Sequence, residues 1–179
     1  MKATIIDNFL DEDIFEKIYK MLLMENNGFP WYYSGFVSDE NDIHRLTLKN
    51  DIINSRYFHH NFYLSDEQYG IKWNKNFYNI LKPFLEQLNI SELLRIKTNL
   101  FPSTHKVYQH PFHRDYLFPH QGAILYMNTC DGGTCFEDGT MVESVANRVL
   151  FFDSSIPHAS TTCTNDKCRV NINVNFIGK

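Results

Sequence analysis

Arg169-Val170-Asn171-Ile172-Asn173-Val174-Asn175-Phe176 alternates charged or amide side chains with aliphatic and aromatic ones without a break. A period of two belongs to a β-strand, whose successive side chains point to opposite faces. One face of this strand is wholly polar and the other wholly apolar. Two placements are open. In an ordinary sandwich the apolar face packs inside and the polar face meets water. In a barrel with a wet, ligand-filled interior the polar face turns inward, and the apolar face packs beneath helices.

The second placement needs helices, and the N-terminal half supplies two. Ala3 to Ile6 reads as a short strand, after which Asp11 caps a helix whose Ile14, Phe15, Ile18, Tyr19, Leu22 and Leu23 recur near a period of 3.6. Phe77, Ile80, Leu81, Phe84, Leu85 and Leu88 repeat that spacing, with Pro83 expected to kink or split the helix. Between them, Asn26-Asn27-Gly28-Phe29-Pro30 breaks the pattern, and Trp31 to about Gly70 reads as long loops with short strands. Trp31-Tyr32-Tyr33 and the loop through Arg45 make a candidate lid or, equally, a satellite apolar cluster. From Glu92 onward short β-rich runs follow one another, at 93–100, 106–110, 122–128, 134–137, 141–145, 149–152, 159–162 and 169–176. The expected architecture is mainly β with supporting helices, one domain over residues 1–179: a helical, loop-rich support over about 1–91 and a sandwich or barrel core over about 92–176.

Composition narrows the function classes. With 43% apolar and 21% charged residues and no apolar run near the ~20 residues that span a bilayer, the chain reads as a soluble protein without a membrane partner. The N-terminus Met1 to Phe9 lacks a secretory signal pattern, so the expected location is a reducing cytoplasm, where a disulfide framework is not expected. A formal charge of −4 removes the general attraction to phosphates on which nucleic-acid binders rely.

The chemistry concentrates in the C-terminal half. His113 and Asp115 are two apart after Pro111, so on an extended segment both side chains project to one side. Alone, a His-x-Asp pair is a weak signal. His158 strengthens it, since an apolar strand and turn, Phe151-Phe152-Asp153-Ser154-Ser155-Ile156-Pro157, delivers a second imidazole at the start of the next strand. Two imidazoles and a carboxylate make half an octahedral shell, the ligand set that suits a non-haem ferrous ion handling dioxygen. If Asn165-Asp166 form a hairpin tip, Cys163 opposes Cys168, Thr162 opposes Arg169 and His158 opposes Asn173. Parity then puts His158 and Arg169 on one face, four residues or about 13 Å apart at ~3.3 Å per residue. That gap admits a five-carbon dicarboxylate chelating the metal at one end and meeting the guanidinium at the other. Cys130, Cys135, Cys163 and Cys168 form two pairs whose spacing only slightly exceeds the usual zinc intervals, but structural zinc would need both pairs to converge, and a bond between Cys163 and Cys168 would need oxidation. His59-His60 and His120 read as surface or loop residues, with His120 alternatively a loop group near the site.

Taken together, His113-x-Asp115, Asn128 with Gly132-Gly133-Thr134-Cys135-Phe136, Asn147 to Phe152, His158 and Arg169 resemble the 2-oxoglutarate/Fe(II)-dependent dioxygenases, specifically the prolyl-4-hydroxylase-like branch. The resemblance covers about residues 93 to 176. With the runs Arg95 to Leu100 and His110 to Asp115, it is closest to small oxygenases of marine bacterial viruses. It implies a double-stranded β-helix (a cupin-like jelly roll) with N-terminal helices packed on one sheet. It implies iron on His113, Asp115 and His158, the distal carboxylate of 2-oxoglutarate on Arg169 and the Tyr126 hydroxyl, and the proximal end near Asn99. The implied activity is hydroxylation of a protein or peptide side chain, or of a small molecule, using O2 and releasing succinate and CO2, with ascorbate as a supporting reductant. There are two departures. His110 stands where many prolyl hydroxylases carry Tyr, either as a hydrogen-bond donor near the co-substrate or in a supporting or structural role, and Arg169 replaces the Lys of animal collagen-type enzymes, which argues against a collagen-like substrate. Asp115 fills the position that related halogenases leave open. The competing readings are a nucleic-acid dealkylase of the same superfamily, which would need a basic groove, and a non-catalytic cupin-like binding module.

Overall fold

The computed structural model describes residues 3–24, 28–35, 37, 55–66, 70–74 and 77–179. Along them run β1 (Thr4–Ile6), α1 (Glu12–Leu23), β2 (Tyr32–Ser34), β3 (Tyr57–Asp66), β4 (Gly70–Trp73), α2 (Tyr78–Glu86), β5 (Ile90–Pro102), β6 (Gln121–Tyr126), β7 (Gly133–Phe136), β8 (Met141–Glu143), β9 (Arg148–Asp153), β10 (His158–Ser160) and β11 (Cys168–Gly178). The alternating strand β11 is central, antiparallel to β5 on one side and to β6 on the other. Its sheet runs β1-β9-β6-β11-β5-β3-β2, with β4 also on β3. A second sheet, β10-β7-β8, packs over it, and Phe136 of β7 meets Phe152 of β9 with ring centroids 5.4 Å apart. Two facing antiparallel sheets braced by helices make the expected jelly roll.

The apolar face of β11 lies outside the sandwich, beneath the helices. Val170, Ile172, Val174 and Phe176 share one buried cluster with Ile18 and Leu22 of α1 and with Leu81, Phe84 and Leu85 of α2. β6 and β9 follow the same rule: Ala123, Leu125 and Val149 join that cluster, while Ile124, Leu150 and Phe152 turn inward to Phe136 and Val142. Arg169, Asn171, Asn173 and Asn175 are buried as well and face between the sheets. Of the two placements open in the sequence, the inverted one is realised, because each large side chain that the helices cover contributes about 1.5–3 kcal/mol. Asn147, in the left-handed region at φ 60°, fastens the helical layer to the sheet. Its amide clamps Leu10, accepting from the Leu10 N–H at 2.9 Å and donating to the Leu10 carbonyl at 2.7 Å.

Several local expectations are corrected. Asp11 stands at the N-cap of α1 but acts through its backbone carbonyl, which accepts from Ile14 and Phe15, and its side chain makes no cap bond. Pro83 does not split α2; the carbonyl it deprives of a partner belongs to Asn79, an exposed residue. Residues 106–110 form no strand, only a bridge from Gln109 to Thr161. The largest departure is β3, a ten-residue strand in the stretch read as long loops. Tyr57 to Leu64 mixes rings and polar groups on both faces, which hides the period of two. Most of the candidate lid lies outside the described residues, and Trp31 itself packs on the core against Phe29, with centroids 4.9 Å apart.

Phe84, fully buried between α1 and the sheet and edge-on to Phe9, is the test of the helical cover. Phe84→Ala is expected to destabilise the fold by about 3–5 kcal/mol, read as a lower denaturant midpoint at unchanged slope.

Candidate metal centre

His113 and His158 exchange both backbone hydrogen bonds, the His113 N–H donating to the His158 carbonyl at 2.9 Å and the His158 N–H to the His113 carbonyl at 3.0 Å. Residues bonded in this way stand directly opposite each other with their side chains on one face. Their ring centroids lie 4.6 Å apart. Asp115, two residues along, projects the same way and has its N–H on the Ser154 carbonyl at 3.2 Å. Its carboxylate oxygens sit 3.9 Å from His113 Nε2 and 3.8 Å from His158 Nε2. Ligand atoms of the three residues all fall within 4.8 Å of one another, and among the described residues theirs is the one group of this kind able to hold a metal. His158 Nδ1 faces the Ile156 carbonyl at 3.0 Å, which orients the ring and leaves Nε2 for a metal. The centre opens at His113, whose side chain is 22% exposed against 4% for Asp115 and His158.

The Asp115 carboxylate is gripped from the opposite sheet. Arg95 Nη2 donates to Oδ1 at 2.5 Å, while Ser154 Oγ at 2.6 Å, Asn175 Nδ2 at 2.8 Å and Asn173 Nδ2 at 3.0 Å all donate to Oδ2. Burial works to raise this carboxyl, but Arg95 and the two imidazoles outweigh it and hold it well below the usual carboxylate range. Oδ1, with a single donor, keeps a lone pair for a metal. Burial, then the neighbouring His158, pushes the His113 imidazole down to about 4, and burial lowers His158 as well.

Arg169 ends the polar row at the sealed side of the interior, 0% exposed. Its Nε donates to the Thr161 carbonyl at 2.8 Å and its guanidinium lies 4.6 Å over the Phe101 ring. Nη1 and Nη2 have no hydrogen-bond partner among the described residues. A buried guanidinium with both amino groups unpartnered is costly to maintain, and an anion seated there would remove that cost. Gly132 makes room for it, since a Cβ there would fall 2.3 Å from the Thr162 carbonyl oxygen and 3.0 Å from Arg169 Cδ. Tyr126 is fully buried nearby, its hydroxyl donating to Thr134 Oγ1 at 2.8 Å, and Asn99 faces the interior with its amide on Asn171 Oδ1 at 3.0 Å. Because Asn173 reaches Asp115, Arg169 stands four residues farther along β11, about 13 Å at ~3.3 Å per residue.

That spacing arises by a different route from the expected hairpin. β10 pairs with β7, with His158 opposite Phe136, so neither His158 opposite Asn173 nor Thr162 opposite Arg169 occurs as a strand pair. The supposed tip is occupied elsewhere. Asp131 Oδ1 accepts from the Thr164 N–H, Asn165 Oδ1 from the Asp131 N–H, and Asp166 Oδ2 from the Asn128 amide, so the chain crosses from the small sheet to the large one. His158 and Arg169 therefore share the interior from opposite walls. Cys163 Sγ donates to the Asp166 carbonyl at 3.8 Å, and all four cysteines are free. His60 and His120, read as surface or loop residues, are buried. His60 bonds to the Pro30 carbonyl and the Asn74 amide, and His120 Nε2 lies 3.3 Å from the Asn175 amide that grips Asp115. His110 takes a supporting place, its Nδ1 2.7 Å from Ser160 Oγ and its ring on Phe101. Sequence reasoning missed Arg95 and Ser154 as partners of Asp115; for Arg95 the available signal was its alternation with Leu94 and Ile96 on β5.

Compared by sequence, the chain matches no protein-family model and no curated protein. Compared by structure, it is similar to a Burkholderia pseudomallei oxidoreductase of the 2OG-Fe(II) oxygenase family, at TM-score 0.66 and 8% identity, over 97% of this chain and 84% of that one. The fold is the one these oxygenases share. A Trichoplax adhaerens prolyl hydroxylase in complex with a hypoxia inducible factor peptide fragment gives TM-score 0.60 at 13% identity, over 98% of this chain and 83% of that one. HygX of Streptomyces hygroscopicus, with nickel and 2-oxoglutarate bound, gives 0.55 at 12%, over 97% and 81%. At such identities the likeness establishes the architecture, and the chemistry rests on this chain's own residues.

The two imidazoles set a pH dependence. Their folded pKa values lie below the ordinary 6.5, so the unfolded chain takes up protons that the folded one refuses. Stability of the metal-free protein is present above pH 6.5 and declines as pH falls toward 4 through His113, by up to about 1.4 kcal/mol per pH unit, with His158 acting in the same direction. Denaturant unfolding at a series of pH values checks this, and a flat profile over that window would contradict it.

Proposed function

We propose that the chain is an iron- and 2-oxoglutarate-dependent oxygenase that hydroxylates a peptide side chain or a small molecule. The observation that carries this reading is the pairing, in one interior, of a two-His one-Asp cluster with a fully buried guanidinium whose Nη1 and Nη2 are unpartnered among the described residues. The donor set suits a ferrous ion, and a guanidinium about 13 Å along the strand suits the far carboxylate of a short diacid. When bound, iron and 2-oxoglutarate would supply oxidative decarboxylation with O2, releasing succinate and CO2 and oxidising a substrate C–H bond.

In this reading His113, Asp115 and His158 hold the metal, and the donors around Asp115 keep its carboxylate aimed. Arg169 receives the distal carboxylate in bidentate fashion. Tyr126 would have to trade its bond to Thr134 to reach the same carboxylate, and Asn99 would approach the proximal end. The sealed inner end excludes water from the co-substrate, while the partly exposed His113 side leaves an approach for substrate. A prolyl hydroxylase of the same fold holds a peptide, which supports a peptide substrate as one member of the class. The retained ligand set and Arg169 weigh against a non-catalytic binding module, and the formal charge of −4 weighs against a nucleic-acid dealkylase.

Ferrous protein is expected to consume 2-oxoglutarate and O2 with release of succinate, and His113→Ala to abolish this. Arg169→Met separates the anchor from the metal site. It should weaken 2-oxoglutarate binding at least tenfold by calorimetry, leave metal affinity in place, and raise the melting temperature of the ligand-free protein by removing an unsatisfied buried charge. Unchanged 2-oxoglutarate affinity in that variant would overturn the reading.

A further inference from the structure

β5 carries a second cation that the metal centre does not use. Arg95, Lys97 and Asn99 occupy alternate positions of β5, opposite Asn175, Asn173 and Asn171 of β11, so all three face between the sheets. Arg95 is committed to Asp115. Lys97 turns the other way, toward β3: its Nζ donates to the Tyr57 hydroxyl at 2.9 Å and lies 5.0 Å from the centre of that ring. Among the described residues no carboxylate pairs with it. His59 of β3, opposite Asn99, adds a buried Nδ1 without a hydrogen-bond partner. Burial first, and the Lys97 charge after it, holds that imidazole down to about 4, so it is neutral beside the ammonium. Lys97 remains partly exposed and therefore reachable.

Among the described residues the charges do not balance without a further anion. Of the described carboxylates only Asp115 and Asp131 are not exposed, and Asp131 is held in a turn by Thr164. On the oxygenase reading above, on which this inference rests, the co-substrate's distal carboxylate answers Arg169, and its other carboxylate and Asp115 answer the metal. Among the described residues Lys97 is left in contact with a hydroxyl and a ring. A substrate that covered it would strip water from an unpaired ammonium, a cost that a neutral ligand cannot offset and an anionic one can. Since the ammonium is turned toward β3 and away from β11, it lies to the side of the row that leads from Asp115 to Arg169.

We propose that Lys97, with His59 beside it, determines specificity by receiving an anionic oxygen group, carboxylate or phosphate, carried by the substrate.

The test uses protein loaded with manganese(II), which blocks turnover, and saturated with 2-oxoglutarate, so that the metal and Arg169 are already engaged. Inorganic phosphate and [13C]acetate are then titrated, and broadening of their NMR lines by the manganese reports binding beside the centre. Wild type and Lys97→Arg are expected to broaden one or both, and which one responds identifies the anion. Lys97→Met and Lys97→Gln should weaken the effect about tenfold or more while leaving 2-oxoglutarate affinity unchanged. Two variants guard against one failing to fold, and circular dichroism checks both. Equal broadening in the Lys97 variants, or none in wild type, overturns the proposal. A loss of 2-oxoglutarate affinity in the variants also overturns it, by assigning Lys97 to the co-substrate. If wild type fails to bind 2-oxoglutarate at all, the oxygenase reading falls first and this one with it.

Discussion

Two backbone hydrogen bonds between His113 and His158 hold the centre together. Because they are exchanged between the same two residues, they set the imidazoles opposite each other and on one face without calling on either ring. The third member of the cluster follows by parity, since Asp115 is two residues from His113 on extended chain. Backbone geometry thus assembles the cluster from one wall, and side chains complete it from the other, where Arg95, Asn173 and Asn175 reach across to the carboxylate. The candidate metal centre is also a tie between the two sheets.

The interior between those sheets is divided. Toward β6, β7, β8 and β9 it is filled by Ile124, Leu150, Phe152, Phe136 and Val142, an ordinary packed core. Toward β5 and β11 it is lined by amides and cations. Burying Arg169 with two amino groups unpartnered among the described residues costs stability, and that cost is met by the larger apolar layer under α1 and α2. The helices carry no part of the site, yet they make a polar interior affordable by sheltering the opposite face of the same strands. The division of labour runs along β11 itself, one residue to the core and the next to the site.

The charge pattern of the polar half limits what can enter it. One carboxylate grips the metal position, one guanidinium holds that carboxylate, another waits at the sealed end, and an ammonium stands to the side near Tyr57. Such a wall favours anions on electrostatic grounds, whatever the overall charge of the chain.

Much of this was legible in the chain. The strict alternation of residues 169 to 176, the helical spacing of Ile14 to Leu23, and the ligand types at 113, 115 and 158 are local patterns, so seven of the eight expected C-terminal strands and the cluster itself follow from them. β3 was hidden because Tyr57 to Leu64 carries rings and polar groups on both faces. The hairpin of residues 158 to 173 was misread because short runs on either side of Asn165-Asp166 suit a turn, whereas Asn128 and Asp131 draw those residues into a crossing between sheets. By itself the sequence determined which residues alternate and which can bind a metal. Only the tertiary structure decided which face of β11 is inside, that β10 pairs with β7, and that Arg95 rather than solvent meets Asp115. Alternation reads the same when a strand is turned over, and the partners that break that symmetry lie far away along the chain.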